Sequence, residues 1–500
     1  MTESMIDYNY KNYTSDDFNK FLNDTGEVGY VETFNNPIVR VRGLPNVKTK
    51  EIVLFESGAI GQVMSLDEEF VEIVSLSHKL PTVGEKSCRT NLPMEMGVGE
   101  YLLGKVVAPL GNNMYKELNE FIPEKYCNID PKPAGIEKRV KINQYFETGV
   151  TVVDTLVPLG KGQRELIIGD RKTGKTDFIL QTMLNQANNG VVCIYAGIGK
   201  NAIDIKKVEK FMNDKKIREK CVIVGSYSSD PSAIVFLTPY SAMTVAEYFM
   251  EKGNDVLLVL DDLTDHAKYY RELSLVARKF PGRSSYPADI FYAHSRLLER
   301  SGYFKAAKGI NAITCLPVAE TTEGDVTGYI QTNLMAITDG HIFFDKELFL
   351  QGRRPAVNYF LSVTRVGRQT QSKLKWSVGR ELYNFLTLLE KTRSFVHFGA
   401  EINEGIKSTL AMGEKIINNF FNQPSGQVIN TNLQILIFSL IWGQAFRERD
   451  TAQISAQSQK IIDKYNADAA YRKRVDTTIQ SCDDFNKLLG IVSAKQSDFM

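Results

Sequence analysis

The segment Gly169-Asp-Arg-Lys-Thr-Gly174-Lys175-Thr176 fits the spacing GxxxxGK[ST]. Glycines at both ends let a loop curl until backbone N–H groups point at phosphate oxygens. Lys175 supplies a cation for the outer phosphates, and the Thr176 hydroxyl is a ligand for Mg2+. The run Gly169, Asp170, Arg171, Lys172, Thr173, Gly174, Lys175 and Thr176 is therefore read as a nucleotide-phosphate loop. A second element supports this reading. Val256-Leu-Leu-Val-Leu-Asp261-Asp262 is an apolar run that ends in carboxylates. Asp261 is expected to hold Mg2+ through water, and Asp262 to cap the helix that follows.

Hydrolysis at such a loop needs a group that orients or deprotonates water. After the apolar run 191–196 the chain reads Gly197-Ile198-Gly199-Lys200-Asn201, with no acid. A lysine is cationic at neutral pH unless strongly desolvated, so Lys200 is a poor base. This predicts nucleotide binding without turnover.

Strands must hold these groups in place. Apolar runs over 164–168, 191–196, 221–226, 256–261 and 312–318 alternate with helix-compatible stretches. The alternation predicts a multidomain α/β chain whose residues 96–372 carry a largely parallel sheet. Residues 28–95 break into short strand-like runs divided by turn signals such as Asn35-Asn36-Pro37, which predicts a small barrel or sandwich. Over 373–500 proline is nearly absent and apolar residues recur at three and four, predicting a helical domain broken near Pro424 and Gly426. Residues 1–27 are acidic and carry Tyr8, Tyr10 and Tyr13. They read as a flexible arm, with a partner-binding segment as the alternative.

Charge and cysteine usage narrow the function class. Lys+Arg number 60 against 59 Asp+Glu, so there is no basic excess to hold nucleic acid by phosphate neutralisation. No pair of the six cysteines has CxxC spacing, which fits a reduced compartment. The five histidines are scattered, so no zinc spacing exists. The apolar stretch Ile435–Trp442 is too short for a bilayer, which needs about 20 residues. The N-terminal residues lack the basic start and apolar run of a signal peptide. The expected location is cytoplasmic, with membrane association only through partners.

Longer segments carry a resemblance. Residues 162–176, 260–300, 316–343 and 347–367 together resemble the alpha subunit of F-type ATPases and ATP synthases, and the likeness is strongest over 140–400. The resemblance implies a β-barrel crown, a RecA-like P-loop nucleotide domain and a C-terminal helical domain. It also implies three alpha subunits alternating with three catalytic beta subunits around a central stalk subunit. In that family alpha holds ATP or ADP with Mg2+ and does not turn it over. The beta pattern has a glutamate base after the strand and alpha subunits usually have glutamine; here Lys200 stands there. Arg365 matches the arginine finger that reaches the gamma-phosphate on beta, a role worth roughly 10³–10⁵ in rate. Phe349, Arg354 and Pro355 match the segment that contacts adenine, and Gln423 is read as the later glutamine contact. Lys172 replaces a usual glutamine, and Thr364 replaces the second signature serine while keeping a hydroxyl.

The ends depart most. Synthase alpha subunits begin with an amphipathic helix that docks the peripheral stalk, whereas residues 1–27 are acidic. The loop after Leu110-Gly-Asn-Asn lacks the usual Pro-Ile-Asp-Gly continuation. These departures are similar to those of F-type-like ATPases of wall-less bacteria, whose heads serve other machinery, including surface motility. The leading expectation is such a specialised alpha-type subunit, with a complex-specific partner at 1–27. The alternatives are the alpha subunit of a proton-translocating ATP synthase, a Rho-type hexameric nucleic-acid motor, and a scaffold that has lost nucleotide binding.

Overall fold

The computed structural model describes residues 13–77, 79–115, 122–397, 403–446 and 449–500. They form two compact units. One draws on residues 1–140, 190–320 and 327–338, the other on 141–189, 321–326 and 339–500.

The first unit opens with helix α1 (Ser15–Thr25). Thr14 and Asp17 form a reciprocal capping box, and Gly26 closes the helix at φ +66°, where its N–H donates to the Leu22 carbonyl. Phe18 is buried, and Tyr13 meets Phe21 edge-on at 5.8 Å. The segment expected to be a flexible arm thus holds a capped helix in its second half. The reason lies in Thr14-x-x-Asp17 followed by an apolar anchor. Tyr8, Tyr10 and the acids ahead of them lie outside the described residues, as do residues 116–121 and His78.

Six strands follow: β1 (Val28–Asn35), β2 (Ile38–Arg42), β3 (Glu51–Phe55), β4 (Ile60–Leu66), β5 (Val71–Ser75) and β6 (Lys86–Pro93). They close into an antiparallel barrel in the order β1-β2-β5-β4-β3-β6, which decides between barrel and sandwich. Val31, Val41, Val53, Phe55 and Ile73 fill it. Each such burial contributes roughly 1.5–3 kcal/mol. Arg89 on β6 lies between Glu51 at 3.0 Å and Glu27 at 3.2 Å, so the residue just after α1 is ion-paired to the barrel wall.

Farther along the same unit, Val256–Asp261 runs parallel between Val192–Lys200 and Gly309–Glu320. Val192–Lys200 also pairs in parallel with Cys221–Tyr227, and that strand with Val106–Val107. Every residue of Val256–Asp261 is buried, as its unbroken apolar run requires of a central parallel strand. Helix Ser232–Glu251 is long and apolar enough to cross a membrane by composition, and 83% of that apolar window is buried inside the protein.

In the second unit, Glu165–Gly169 runs parallel to Gly340–Phe344, and Val363–Thr364 pairs antiparallel to the latter. Helix Lys175–Asn188 follows the loop. The remainder is helical: Lys373–His397, Glu404–Lys415, a π-helix at Ile416–Phe421, then Thr431–Trp442, Thr451–Ala467, Ala469–Gln480 and Phe485–Ala494. Thr431–Trp442 is apolar nearly all round and buried, with Phe438 stacked on Phe485 at 5.2 Å. Pro424 and Gly426 fall in the break before it, where the sequence puts them. The fold is thus a multidomain α/β chain with an N-terminal barrel, a P-loop nucleotide domain and a helical C-terminal region.

Candidate functional site

The phosphate loop is shaped by its glycines. Gly169 ends its strand where Phe344 crowds it, and a Cβ there would strike the Phe344 carbonyl. Gly174 takes φ +93° to start the helix Lys175–Asn188. Between them the Thr173 hydroxyl donates to the Asp170 carbonyl at 2.8 Å. The Asp170 carboxylate accepts from the Thr321 hydroxyl at 2.5 Å and the Gly324 N–H at 2.9 Å. Lys175 is buried, and its Nζ donates to the Gly169 and Asp170 carbonyls, both at 2.6 Å. Its cation is thereby held under the loop, while Arg171, Lys172 and Thr176 are exposed. The positive end of a 14-residue helix stands at the same point. Backbone curl, helix terminus and cations are the features by which a loop attracts an anion.

In the same unit Arg354 lies over the Phe349 ring, 3.6 Å from its centroid, and donates to the Phe349 carbonyl at 2.8 Å. Asn422 and Gln423 clamp the Arg354 backbone: Asn422 Oδ1 accepts its N–H and the Gln423 N–H donates to its carbonyl, each at 2.8 Å. The Gln423 side chain is 3% exposed. Its oxygen accepts from Thr151 N–H and Oγ1, and its amide donates to the Gly149 and Gln427 carbonyls. The amide is spent on the chain itself. Gln423 braces the Phe349–Arg354–Pro355 segment, where sequence reasoning expected a group free to read a base.

Arg365 is exposed just beyond Val363–Thr364. Its N–H donates to the Asp339 carbonyl at 3.0 Å, and the Asp339 carboxylate is gripped by Arg164 at 3.0 and 2.8 Å. The Thr364 hydroxyl donates to the Pro158 carbonyl at 3.0 Å and accepts from the Gly367 N–H at 3.1 Å. A Cβ at Gly367 would collide with that same Pro158 carbonyl. Thr364 and Gly367 therefore fix the turn that carries Arg365. Burial holds nearby His341 below its ordinary range, the Leu361 carbonyl opposes this, and the Arg365 charge deepens it.

The first unit holds the acidic strand end. Asp261 and Asp262 are 7% and 1% exposed. Lys200 Nζ lies 2.8 Å from Asp261 Oδ1 and 3.3 Å from Asp262 Oδ2. Tyr195 Oη donates to Asp261 Oδ2 at 2.6 Å. Asp262 Oδ1 accepts from the Asp265 N–H at 2.7 Å, so it caps helix Leu263–Val276 as its sequence position predicts. Burial opposes charge on Lys200, but the Asp261 and Asp262 carboxylates outweigh it and hold the ammonium above its ordinary range.

The pattern described as the ATP synthase alpha/beta family, nucleotide-binding domain, matches residues 149–364. The chain is 38% identical over 438 residues to ATP synthase subunit alpha of Caldanaerobacter subterraneus subsp. tengcongensis, covering 87% of this chain and 86% of that one. It is 37% identical over 450 residues to ATP synthase subunit alpha of Lactobacillus delbrueckii subsp. bulgaricus, covering 89% of each.

The chain belongs to the alpha-subunit family of F-type ATPases.

This alpha-type chain therefore carries the family's nucleotide-binding domain and belongs to an ATPase complex. Mg2+, which the family implies, meets two different fits. The exposed Thr176 hydroxyl suits it. Asp261 suits it less well, because Lys200 and Tyr195 already donate to its two oxygens and an ion there would stand beside the Lys200 ammonium. Among the described residues no cluster of three His, Cys, Asp or Glu side chains is arranged to hold a metal.

Sequence reasoning missed two arrangements. It weighed Lys200 as a failed base and not as a partner of Asp261. It also left His266 and His294 scattered, whereas both are buried and their rings meet at 3.2 Å. His266 Nε2 lies 3.1 Å from the Phe236 carbonyl and Asn333 Nδ2 lies 3.4 Å from His294 Nδ1. These contacts assign one neutral chain of donors, from Asn333 through His294 and His266 to Phe236. Only the helical phase of two separate helices brings them together, and no spacing motif announces it.

Proposed function

We infer that this alpha-type subunit holds ATP or ADP without hydrolysing it and acts on a neighbouring catalytic beta-type subunit. Gly169 to Thr176 take the phosphates, with Lys175 as the principal cation. The Phe349–Arg354–Pro355 segment, braced by Gln423, meets the base. Bound Mg2+ would neutralise phosphate charge, with Thr176 as its ligand from this chain. Arg365 acts in trans, stabilising charge on the phosphoryl group transferred at beta. The assembly is an alternating three-plus-three hexamer around a central stalk subunit, cytoplasmic and attached to the membrane only through its partners. The curated relatives bear the name ATP synthase subunit alpha, which supports an F-type head.

One observation carries the non-catalytic reading. The position that needs a water-activating carboxylate holds Lys200, and that lysine is committed to two acids. The isolated chain is expected to retain ATP and release no phosphate above background. Sustained turnover by the pure chain overturns the reading.

A specialised head that drives other machinery, such as surface motility, is the favoured member of this class. The acidic character of residues 1–27 supports it. A peripheral-stalk subunit that copurifies through residues 1–27 would return the chain to an ordinary proton-translocating synthase.

A further inference from the structure

A fully buried acid stands two strands away from the turn that carries Arg365. Glu165 is 0% exposed. It pairs with Gly340 on the next strand, and Gly340 pairs with Thr364, so the three stand in one row across the sheet. Side chains in such a row share a face. Gly340 keeps the middle of the row clear: a Cβ there would stand 2.8 and 2.6 Å from Glu165 Oε1 and Oε2. Gln163, two residues before Glu165, spans that gap. Its oxygen accepts from the Gly160 N–H at 2.8 Å, which fixes the sense of the amide. Its Nε2 donates to Glu165 Oε2 at 2.6 Å and to Thr364 Oγ1 at 3.3 Å. Thr364 then holds the turn through the Pro158 carbonyl and the Gly367 N–H. Acid, amide and hydroxyl form one chain of contacts that ends beside Arg365, and all of these residues belong to the second unit.

The carboxyl has one amide donor for two oxygens, and its Oε1 has no hydrogen-bond partner among the described residues. Burying an ionised carboxylate with so few donors is far costlier than burying the neutral acid. Burial accordingly holds Glu165 well above its ordinary range; the Gln163 bond opposes this, Asp339 adds to it, and the Arg365 charge opposes it. A neutral acid keeps the shape of the row without presenting Arg365 with a full negative charge inside the chain.

We propose that Glu165 is a positioning residue for Arg365, bracing through Gln163 and Thr364 the turn from which that arginine reaches the neighbouring subunit. Its neutral form is the working one. The proposal rests on the finger reading of Arg365 above.

The test is steady-state ATP hydrolysis by the head reconstituted from this chain, its beta-type partner and the central stalk subunit. ATP retention by each purified variant chain is measured separately by dialysis. Glu165→Leu fills similar space without the carboxyl. Its kcat should fall about tenfold or more, while KM and ATP retention stay within about threefold. Glu165→Gln keeps the shape and the neutral polarity and should restore turnover to within about threefold of wild type. In an Arg365→Ala background, Glu165→Leu should lower the residual rate no further, because it acts through that arginine. Wild-type turnover in Glu165→Leu overturns the proposal, and so does a loss in Glu165→Gln as deep as that in Glu165→Leu. A further loss on top of Arg365→Ala overturns it as well, since that marks a general structural role. If Glu165→Leu does not assemble, Gln163→Met cuts the same chain of contacts and is judged by the same kcat, KM and background outcomes. If Arg365→Ala itself leaves turnover unchanged, the finger reading falls and takes this one with it.

Discussion

The loop 169–176 and the acidic end of Val256–Asp261 both gather charge, and they dispose of it in opposite ways. In the loop Arg171, Lys172 and the Thr176 hydroxyl are exposed, and the Lys175 ammonium is held beneath them by two backbone carbonyls at the helix terminus. At the strand end the charges close on one another, and each oxygen of Asp261 and Asp262 is met from within the chain. Arg365 belongs with the first kind, being exposed on a turn that Thr364 and Gly367 hold in place. The His266–His294 pair belongs with the second. Exposed groups can be reached by a ligand or a neighbour. Closed charge contributes to the fold.

That division makes separable predictions. The largest effect concerns Arg365. Arg365→Ala should leave ATP retention and assembly with beta unchanged, and lower hydrolysis by the reconstituted head about a thousandfold or more. Unchanged turnover would remove Arg365 from the outward class. Next, Lys175→Ala should weaken ATP retention by the isolated chain about tenfold to a hundredfold, read by dialysis.

The closed class is read in stability instead. Lys200→Ala leaves two buried acids without the cation they share and should cost about 3 kcal/mol in urea unfolding. The exposed Lys172→Ala should stay within about 0.5 kcal/mol. Equal costs for the two would erase the distinction.

The smallest effect is a pH slope. Burial pulls His266 from its ordinary 6.5 down to about 4. Below 6.5 the unfolded chain therefore takes a proton that the folded chain refuses. This share of stability is complete above 6.5 and is lost as pH falls toward 4. His266→Gln should flatten the urea midpoint between those two values, and a parallel profile would show that His266 does not titrate on unfolding.

The two regions also differ in how well the sequence announces them. The loop is legible because its chemistry is backbone chemistry: two glycines at fixed spacing dictate the curl, and the flanking apolar run and helix follow. Asp262 as a cap is legible for the same reason. The partner of Lys200 is not, because it depends on a register slip at Gly197–Lys200 that residue types alone do not reveal. Gln423 shows the converse. Its chain position marks it as important, yet burial turned its amide inward. In the fold, alternating strands and helices, the strand-rich zone and the helical end are all readable. Barrel closure follows from strand order, which is a long-range property. α1 was signalled by Thr14-x-x-Asp17, a local mark overshadowed by acidic composition.

That small helix has a mechanical consequence. Phe18 is sunk into the unit, the Cys88 thiol on β6 donates to its carbonyl, and Glu27 is tied through Arg89 to Glu51 on β3. Tension applied at Thr14 therefore does not first reel out slack. It passes through a short, stiff coupling into a closed cylinder of strands, so whatever grips the chain ahead of that point pulls on the crown as a single body.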